Sequence, residues 1–305
     1  MKQKQTEPQP QMTLTARRGI ADRNASLILT LPAILLLVIF ILYPIVDSFG
    51  ISLMKWNGIS ADKQFIGLGN WKKLISDTAF WKAFFNNVKI MMLSLLIQLP
   101  AALLLSTLLH VIGKKGKALK CLWFIPMLMS SVAVGFLFKY ALSTTDGIFT
   151  TLSMMLGGGR IDLLGSNRFA LLTVTMVICW QFIPFYMIFF LASYSNIDRE
   201  VYEAALIDGA TKPKYFIYVA LPLLKPAIRN ACILSMVGSL KYFDLIYVMT
   251  NGGPGTATEL MATYMYKLSF KEFNMSYGST VASGMLIVIT LFASITMKFT
   301  TKTES

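Results

Sequence analysis

The residues of this chain that could do chemistry are polar side chains set inside long apolar stretches. Ser235, Ser239 and Tyr242 recur at steps of four and three residues, which places their hydroxyl groups on one face of a helix. Hydroxyls in such a setting either line a cavity for a polar solute or, at the serines, let two helices pack closely. The spacing leaves both interpretations open.

Two charges lie beside this face. Lys241 and Asp244 are three residues apart, so a helix would bring them together. They could neutralise each other, with the lysine reaching outward, or line a polar cavity. The first interpretation is favoured for Lys241, and both remain open for Asp244.

Sequence patterns for catalysis are absent. The chain contains no Walker motif, no cluster with metal-ligand spacing and no nucleophile–base–acid pattern. The glycine-rich run 251–255 lacks the lysine of a phosphate-binding loop and is predicted to be a turn. Cys121, Cys179 and Cys232 form no CxxC pair and are predicted to be free thiols. We therefore expect a protein that is not an enzyme and holds no cofactor or metal.

The elements that must position these residues are membrane-spanning helices. The chain has 305 residues, of which 55% are hydrophobic and 14% charged, and its mean hydropathy is +0.60. Soluble domains rarely combine these values, and a span needs about 20 mostly apolar residues. The sequence predicts an all-α membrane protein with six transmembrane helices, the fifth continuous despite Lys241 and Asp244. The predicted spans are about 26–48, 88–110, 120–142, 169–193, 227–250 and 277–298.

Basic residues set the predicted orientation. Lys and Arg are enriched on the cytoplasmic side of membrane proteins, and the short segment 113–120 has lysine at four of its eight positions. Both termini are therefore predicted to be cytoplasmic. Residues 1–25 form a leader, 26–300 the transmembrane domain and 301–305 a tail, while the loop between the fourth and fifth spans faces the cytoplasm.

This cytoplasmic loop, residues 198–222, is predicted to form two short helices. Asp198 is a candidate N-cap for a helix over Arg199–Ile207. Asp208-Gly209 would end that helix, because glycine adopts the left-handed conformation readily, and Thr211 would cap a second helix. On the residues alone, an ordinary amphipathic helix on the membrane surface is the alternative.

The same loop resembles the EAA loop of binding-protein-dependent ABC importer permeases. Glu203-Ala204-Ala205, then Gly209, Val219 and Leu221-Pro222, follow that family's pattern, with valine where isoleucine is usual. The resemblance implies a type I ABC importer permease fold in which this loop is a coupling helix that docks in a cytoplasmic ATPase. The coupling residues that it implies are Glu203, Ala204, Ala205, Asp208 and Gly209.

A second resemblance narrows the group to carbohydrate importers. Residues 244–254 (DLIYVMTNGGP) resemble the end of the fifth core span of the maltose-type first permease, and Leu42-Tyr43-Pro44 and Gly67–Trp71 are similar to the same group. This resemblance implies sugar contacts at Trp180, Ser235, Ser239 and Tyr242, although asparagines are usual at the last two positions. Aromatic rings and hydroxyls suit the apolar faces and hydroxyls of a sugar. With Asp244, these are the candidate substrate-binding residues.

The resemblance also implies partners. They are a second homologous permease subunit, two ATPase subunits that bind ATP and magnesium, an extracytoplasmic solute-binding protein, the lipid bilayer of a bacterial cytoplasmic membrane and a sugar. A glycerol-phosphate or polyol substrate is one alternative, but a phosphate would favour several Arg or Lys groups in the cavity, where Lys241 is the evident candidate. An ion-gradient-driven secondary transporter using Lys241 and Asp244, or a membrane scaffold, are the others.

Overall fold

The computed structural model describes residues 29–301, so the predicted leader and residues 302–305 of the tail lie outside it. The chain divides into two units, residues 1–50 and 51–305. The first unit contributes most of helix α1, Leu29–Ser52, which is π-helical over Val38–Leu42. Every residue of α1 up to Leu42 is apolar apart from Thr30, as a helix in lipid requires.

The second unit begins with a small hairpin and continues as a set of helices. Strands β1 (Met54–Lys55) and β2 (Gln64–Phe65) pair antiparallel, and α2 (Gly69–Ser76) follows them. The other helices are α3 (Thr78–Ile112, π-helical over Ser94–Gln98), α4 (Lys117–Leu128), α5 (Ser131–Ala141), α6 (Ile148–Met155), α7 (Ala170–Tyr194), α8 (Arg199–Ile207), α9 (Lys212–Tyr215, continuing through Phe216–Ala220 and Leu221–Leu223), α10 (Lys225–Ser239), α11 (Asp244–Met249), α12 (Met261–Tyr266) and α13 (Met275–Thr301).

Four of these helices, α1, α3, α7 and α13, are long and apolar enough to cross a membrane. The number rises to six if each of two bent helix pairs counts as one span: α4 with α5, bent by 92°, and α9 with α10, bent by 69°. The predicted all-α membrane fold is thus confirmed. The structure differs from the prediction in the third and fifth spans, which are broken rather than continuous.

The third predicted span is broken where α4 gives way to α5. Pro126 lies in the last turn of α4, and Ser130 caps α5 by accepting a hydrogen bond from the N–H of Val132 at 3.3 Å. Gln181 of α7 stabilises the non-helical residues between α4 and α5. Its Nε2 donates to the carbonyl oxygen of Met129 and to Ser131 Oγ, both at 3.3 Å. Sharp bends in helices usually have such local causes.

The prediction of a continuous fifth span over 227–250 is wrong. Helix α10 ends at Ser239 and α11 begins at Asp244, with residues 240–243 outside helix. The last carbonyl groups of a helix need donors from elsewhere, and the Asn87 Nδ2 of α3 donates to the Ser239 carbonyl oxygen at 3.0 Å. Asn87 Oδ1 also accepts from the N–H of Met261 at 3.0 Å, so one buried amide joins α3, α10 and α12.

Apolar packing between α3 and α7 forms the core of the second unit. Ile90 and Ile178 are buried together near the middle of these helices. At one end of α7, Tyr194 packs with Ala205 of α8 and Tyr215 of α9, and we name this the α8 end. The opposite end of α3 lies near the β-hairpin and is named the hairpin end.

One carboxylate joins three helices at the hairpin end. Asp77 caps α3, because its Oδ1 accepts hydrogen bonds from the N–H groups of Ala79 (2.9 Å) and Phe80 (3.4 Å). Its Oδ2 accepts from the hydroxyls of Tyr264 of α12 (2.7 Å) and Tyr277 of α13 (2.5 Å). Burial raises the pKa of the Asp77 carboxyl, but these hydrogen bonds outweigh it and hold the pKa below its ordinary value of 3.8.

Asp77→Asn is expected to lower the free energy of unfolding by roughly 2–3 kcal/mol at neutral pH, because its four hydrogen bonds lose a charged acceptor. The folded-state pKa of Asp77 is depressed, so the carboxylate stabilises the fold above its ordinary pKa and loses this contribution as the pH falls through the folded-state value. The difference from the wild type should therefore be constant from about pH 8 to about pH 5 and close below about pH 4.

Thermal unfolding of the purified chain in detergent, repeated across this pH range, measures the effect of Asp77→Asn. The exposed Asp146 provides a matched control, and Asp146→Asn should change the unfolding temperature little at any pH. A difference between Asp77→Asn and wild type that persists unchanged at acid pH would contradict the assignment.

Candidate functional site

The loop predicted from the sequence to contain two helices has that form. Helix α8 covers Arg199–Ile207, as predicted, with Asp198 at the N-cap position but without a side-chain capping bond. Gly209 ends the turn with φ = +78°, and the N–H of Ala210 donates to the carbonyl oxygen of Ala205 at 2.9 Å. This left-handed glycine sets the direction in which the chain leaves α8.

Burial divides the predicted coupling residues into two groups. Ala205 is 8% exposed and packs inward against Tyr194 and Tyr215. Glu203, Ala204, Asp208 and Gly209 are exposed. The small residues of the loop therefore serve two purposes, since Ala205 holds α8 on the bundle while the others face outward.

Two exposed apolar residues in the last turn of α8 were missed from the sequence. Ile207 is 86% exposed and Leu206 is 45% exposed. Their signal was their position at the end of α8, beside the exposed turn at Gly209. Together with the exposed small residues beside them, these side chains add apolar area to the surface at this turn.

Helix α8 is held firmly in place. The ring of Tyr202 packs edge-on against the ring of Tyr215, with 4.8 Å between centroids. Tyr215 and Tyr194 belong to the same apolar cluster as Ala205. A movement of α8 should therefore also move α7 and α9, because these helices are packed together.

Trp180 and Tyr242, two predicted substrate contacts, pack against the same apolar cluster. The Trp180 ring lies edge-on to Phe138 at 5.2 Å, and the Tyr242 ring lies 5.8 Å from that of Phe182. Both side chains are half-buried. Because Tyr242 lies in the break after α10, the prediction that it shares a helical face with the two serines is wrong.

Ser235 and Ser239 are buried on α10, where the Ser235 hydroxyl lies against that of Tyr186 on α7. The Ser239 hydroxyl oxygen and the side-chain carbonyl oxygens of Gln98 and Gln181 have no hydrogen-bond partner among the described residues. A buried polar group without a partner costs about 1–3 kcal/mol, so a polar partner for these atoms would be favourable. The two glutamines were overlooked in the sequence, although a glutamine within an apolar span is itself a signal.

Lys241 and Asp244 differ from the buried serines in their exposure. Both are exposed, and the non-helical residues between them remove the spacing that would pair them on a helix. Asp244 is the first residue of α11, where the helix dipole favours a negative charge. Residues 29–301 contain no group of three or more His, Cys, Asp or Glu side chains that could hold a metal ion.

The profile of one protein family, described as "Binding-protein-dependent transport system inner membrane component", matches residues 14–302. The chain belongs to this family. Its fold is that of the type I ABC importer permeases: the crystal structure of a bacterial ABC transporter involved in the import of the acidic polysaccharide alginate has a TM-score of 0.82, covering 94% of this chain and 99% of that chain at 22% sequence identity.

Similar permeases come from several organisms. The lactose transport system permease LacF of Rhizobium radiobacter is 33% identical, over 86% of this chain and 89% of LacF. The trehalose/maltose transport system permease MalF of Thermococcus litoralis is 29% identical, over 93% of this chain and 96% of MalF. The arabinooligosaccharides transport system permease AraP of Bacillus subtilis is 28% identical, over 91% of this chain and 89% of AraP.

One helix carries parts of both candidate sites in this permease. Trp180 and Gln181 lie near the middle of α7, and Tyr194 at its end packs against α8. The permease is thus a multi-pass membrane component whose exposed loop surface and membrane-embedded polar residues are joined by a single continuous helix.

Proposed function

We propose that this chain is one of two membrane-spanning subunits of an ATP-driven importer that moves a sugar or oligosaccharide into the cell. A second permease subunit, two ATPases that bind ATP and magnesium, and an extracytoplasmic binding protein complete the assembly. The α8 end faces the cytoplasm in the bacterial inner membrane, with both termini on that side. ATP hydrolysis takes place in the ATPases, and this chain converts their closure into movement of its helices.

The observation that carries this proposal is the surface at the α8 end. Glu203, Ala204, Asp208 and Gly209 are exposed, and Ile207 stands beside them. Small residues permit close approach by a partner, and an exposed isoleucine supplies apolar area to bury. Because Ala205 and Tyr202 anchor α8 through Tyr194 and Tyr215, closure of the ATPases would push on α7 and α9.

A neutral carbohydrate is supported as the substrate by the membrane-embedded residues. Trp180 and Tyr242 offer aromatic faces for a sugar ring, while Ser239 and Gln181 offer unpartnered hydrogen-bonding atoms and Ser235 a further hydroxyl. The buried polar groups of this set carry no charge. The names of LacF, MalF and AraP, which refer to lactose, trehalose or maltose, and arabinooligosaccharides, point to the same class. An alginate importer has been crystallised with a periplasmic protein bound to alginate pentasaccharide, which supports the proposed binding protein.

Proteoliposomes test how transport is driven. The chain is copurified with its partner subunits and reconstituted with ATP inside the vesicles, and the binding protein is supplied outside with lactose, maltose, trehalose or arabinooligosaccharide in turn. We expect uptake of at least one of these sugars to require ATP and the binding protein, to stop with vanadate, and to continue when ionophores collapse proton and sodium gradients.

The opposite pattern would overturn the proposal. Uptake that ignores ATP and vanadate but stops with the ionophores would identify an ion-coupled secondary transporter, in which the exposed Lys241 and Asp244 become the coupling groups. Uptake of glycerol phosphate or a polyol in place of the sugars would retain the machinery and reject the carbohydrate.

A further inference from the structure

A basic cavity at the α8 end is not accounted for by transport of a sugar. The cavity has a volume of about 530 Å³ and lies between the end of α3, the start of α4 and the side of α7. Lys117, Lys120 and His110 line it together with the aliphatic side chains of Leu109 and Leu191. None of the described residues that line it is acidic.

We propose that this cavity binds the phosphate headgroup of an anionic phospholipid and that the bound lipid reduces the local unfolding of α8. Two lysine ammonium groups without a lining carboxylate attract a phosphate. The aliphatic wall favours a lipid over a free phosphate, because Leu109 and Leu191 can contact the glycerol backbone and upper acyl chains. Exposed apolar side chains continue this surface beyond the cavity: Leu108, Ile112, Leu119 and Leu122.

The turn that carries the lysines is packed closely on α3. A Cβ placed on Gly116 would lie 3.2 Å from the Leu109 side chain and 3.4 Å from that of Ile112. This contact keeps the start of α4, and therefore Lys117 and Lys120, beside the end of α3. The cations are thus held at one edge of the bundle, where the proposed orientation places the anionic cytoplasmic leaflet.

A series of packed aromatic side chains connects the cavity to α8. The His110 ring stacks on that of Tyr194 with 4.6 Å between centroids and 18° between planes. The Tyr194 hydroxyl shares a 2.7 Å hydrogen bond with Thr107 Oγ1. Tyr194 packs in one cluster with Tyr215, and the Tyr215 ring contacts the Tyr202 ring of α8. A headgroup beside His110 therefore orders side chains that support α8; the importance of this for transport rests on the proposed function.

The test uses the full chain in nanodiscs made either of phosphatidylcholine or of phosphatidylcholine with phosphatidylglycerol. Native mass spectrometry counts retained phosphatidylglycerol, and hydrogen exchange follows the amides of α8. We expect retention to be about tenfold weaker in the Lys117→Gln/Lys120→Gln double variant, since each lysine near a membrane surface attracts anionic lipid substantially. Phosphatidylglycerol should slow exchange in α8 about threefold in the wild type and leave it unchanged in this variant.

Control variants separate the cavity from net charge and from folding. Lys225→Gln/Lys298→Gln removes two exposed charges outside the cavity and should bind phosphatidylglycerol as the wild type does. His110→Ala keeps both lysines and should retain the lipid while losing the slower exchange in α8. Equal retention in both double variants would overturn the lipid site, and retention without any effect on α8 would overturn the connection to it.

Inorganic phosphate added to pure phosphatidylcholine nanodiscs distinguishes the two sources of the anion. We expect it to leave α8 exchange unchanged; slowing equal to that with phosphatidylglycerol would overturn the lipid and assign a soluble phosphate. Neither measurement requires ATP or a sugar. A failed lipid site and a failed transport function are therefore distinguishable.

Discussion

Gly209→Val is expected to lower ATP-driven uptake about a hundredfold while the chain remains folded. Gly209 has φ = +78°, a conformation that is strongly unfavourable for a β-branched residue. The turn must therefore shift, and the angle between α8 and α9 changes with it. A Cβ added to Gly209 would have no atom of the described residues within 4 Å, so the new side chain points into open space where the ATPase is proposed to dock.

Two comparisons separate backbone strain from docking at this position. Gly209→Asn tolerates the left-handed conformation but still adds a side chain, so an intermediate loss of uptake is expected. Gly157 has a similar φ of +81° and equally open surroundings, and it lies outside the loop, so Gly157→Val should leave uptake within about twofold of wild type. Copurification of the ATPase reports docking directly. Normal uptake and normal ATPase recovery with Gly209→Val would remove the main support for a coupling role of α8.

Trp180→Ala is expected to raise the sugar concentration needed for half-maximal uptake about 30-fold. The indole is half-buried and packs edge-on against Phe138, so part of its surface remains accessible. Its loss removes both buried apolar area and an aromatic stacking surface. Trp180→Phe keeps a smaller ring in the same place and should change the concentration by only about threefold.

Trp81→Ala provides the control for loss of a tryptophan elsewhere. Trp81 packs edge-on against Phe80 and Phe84 near the hairpin end, away from the α10 serines. We expect it to lower the unfolding temperature without changing the concentration dependence of uptake. If Trp180→Ala has only that same effect, Trp180 is a packing residue and the sugar site must be placed elsewhere in the membrane.

Local interactions explain why α8 and its turn could be predicted in detail. The boundaries of α8 follow from residues close in sequence, namely Asp198 before it and Gly209 after it, and the structure reproduces both. The apolar spans are similarly local, since every 20-residue stretch must satisfy its own backbone in lipid. The substrate contacts at Trp180 and Tyr242 stay predictions: the two side chains pack against one apolar cluster, and the buried Gln98 and Gln181 were missed.

Breaks in the third and fifth spans depend on contacts between distant residues. The apolar composition of 227–250 is compatible with a single helix, and nothing near Ser239 in sequence supplies the donor that its carbonyl needs. Asn87 supplies it from α3, and Gln181 acts in the same way at Met129. Side-chain amides that approach only after the helices pack can make such breaks favourable. The third span also contains local signals for its break, Pro126 and the capping Ser130, whereas the break in the fifth span depends on Asn87.

The sequence by itself therefore determined the membrane class, the number of apolar segments and the short helix with its left-handed glycine, because each depends on neighbours within a few turns. The tertiary structure decided which small residues of the loop face outward: Ala205 is buried, whereas Ala204 and Ile207 are exposed. It also decided which membrane hydroxyls lack partners, and how His110 reaches α8 through Tyr194. These features depend on how α3, α7 and α10 pack together, and packing partners distant in sequence are set by the whole fold.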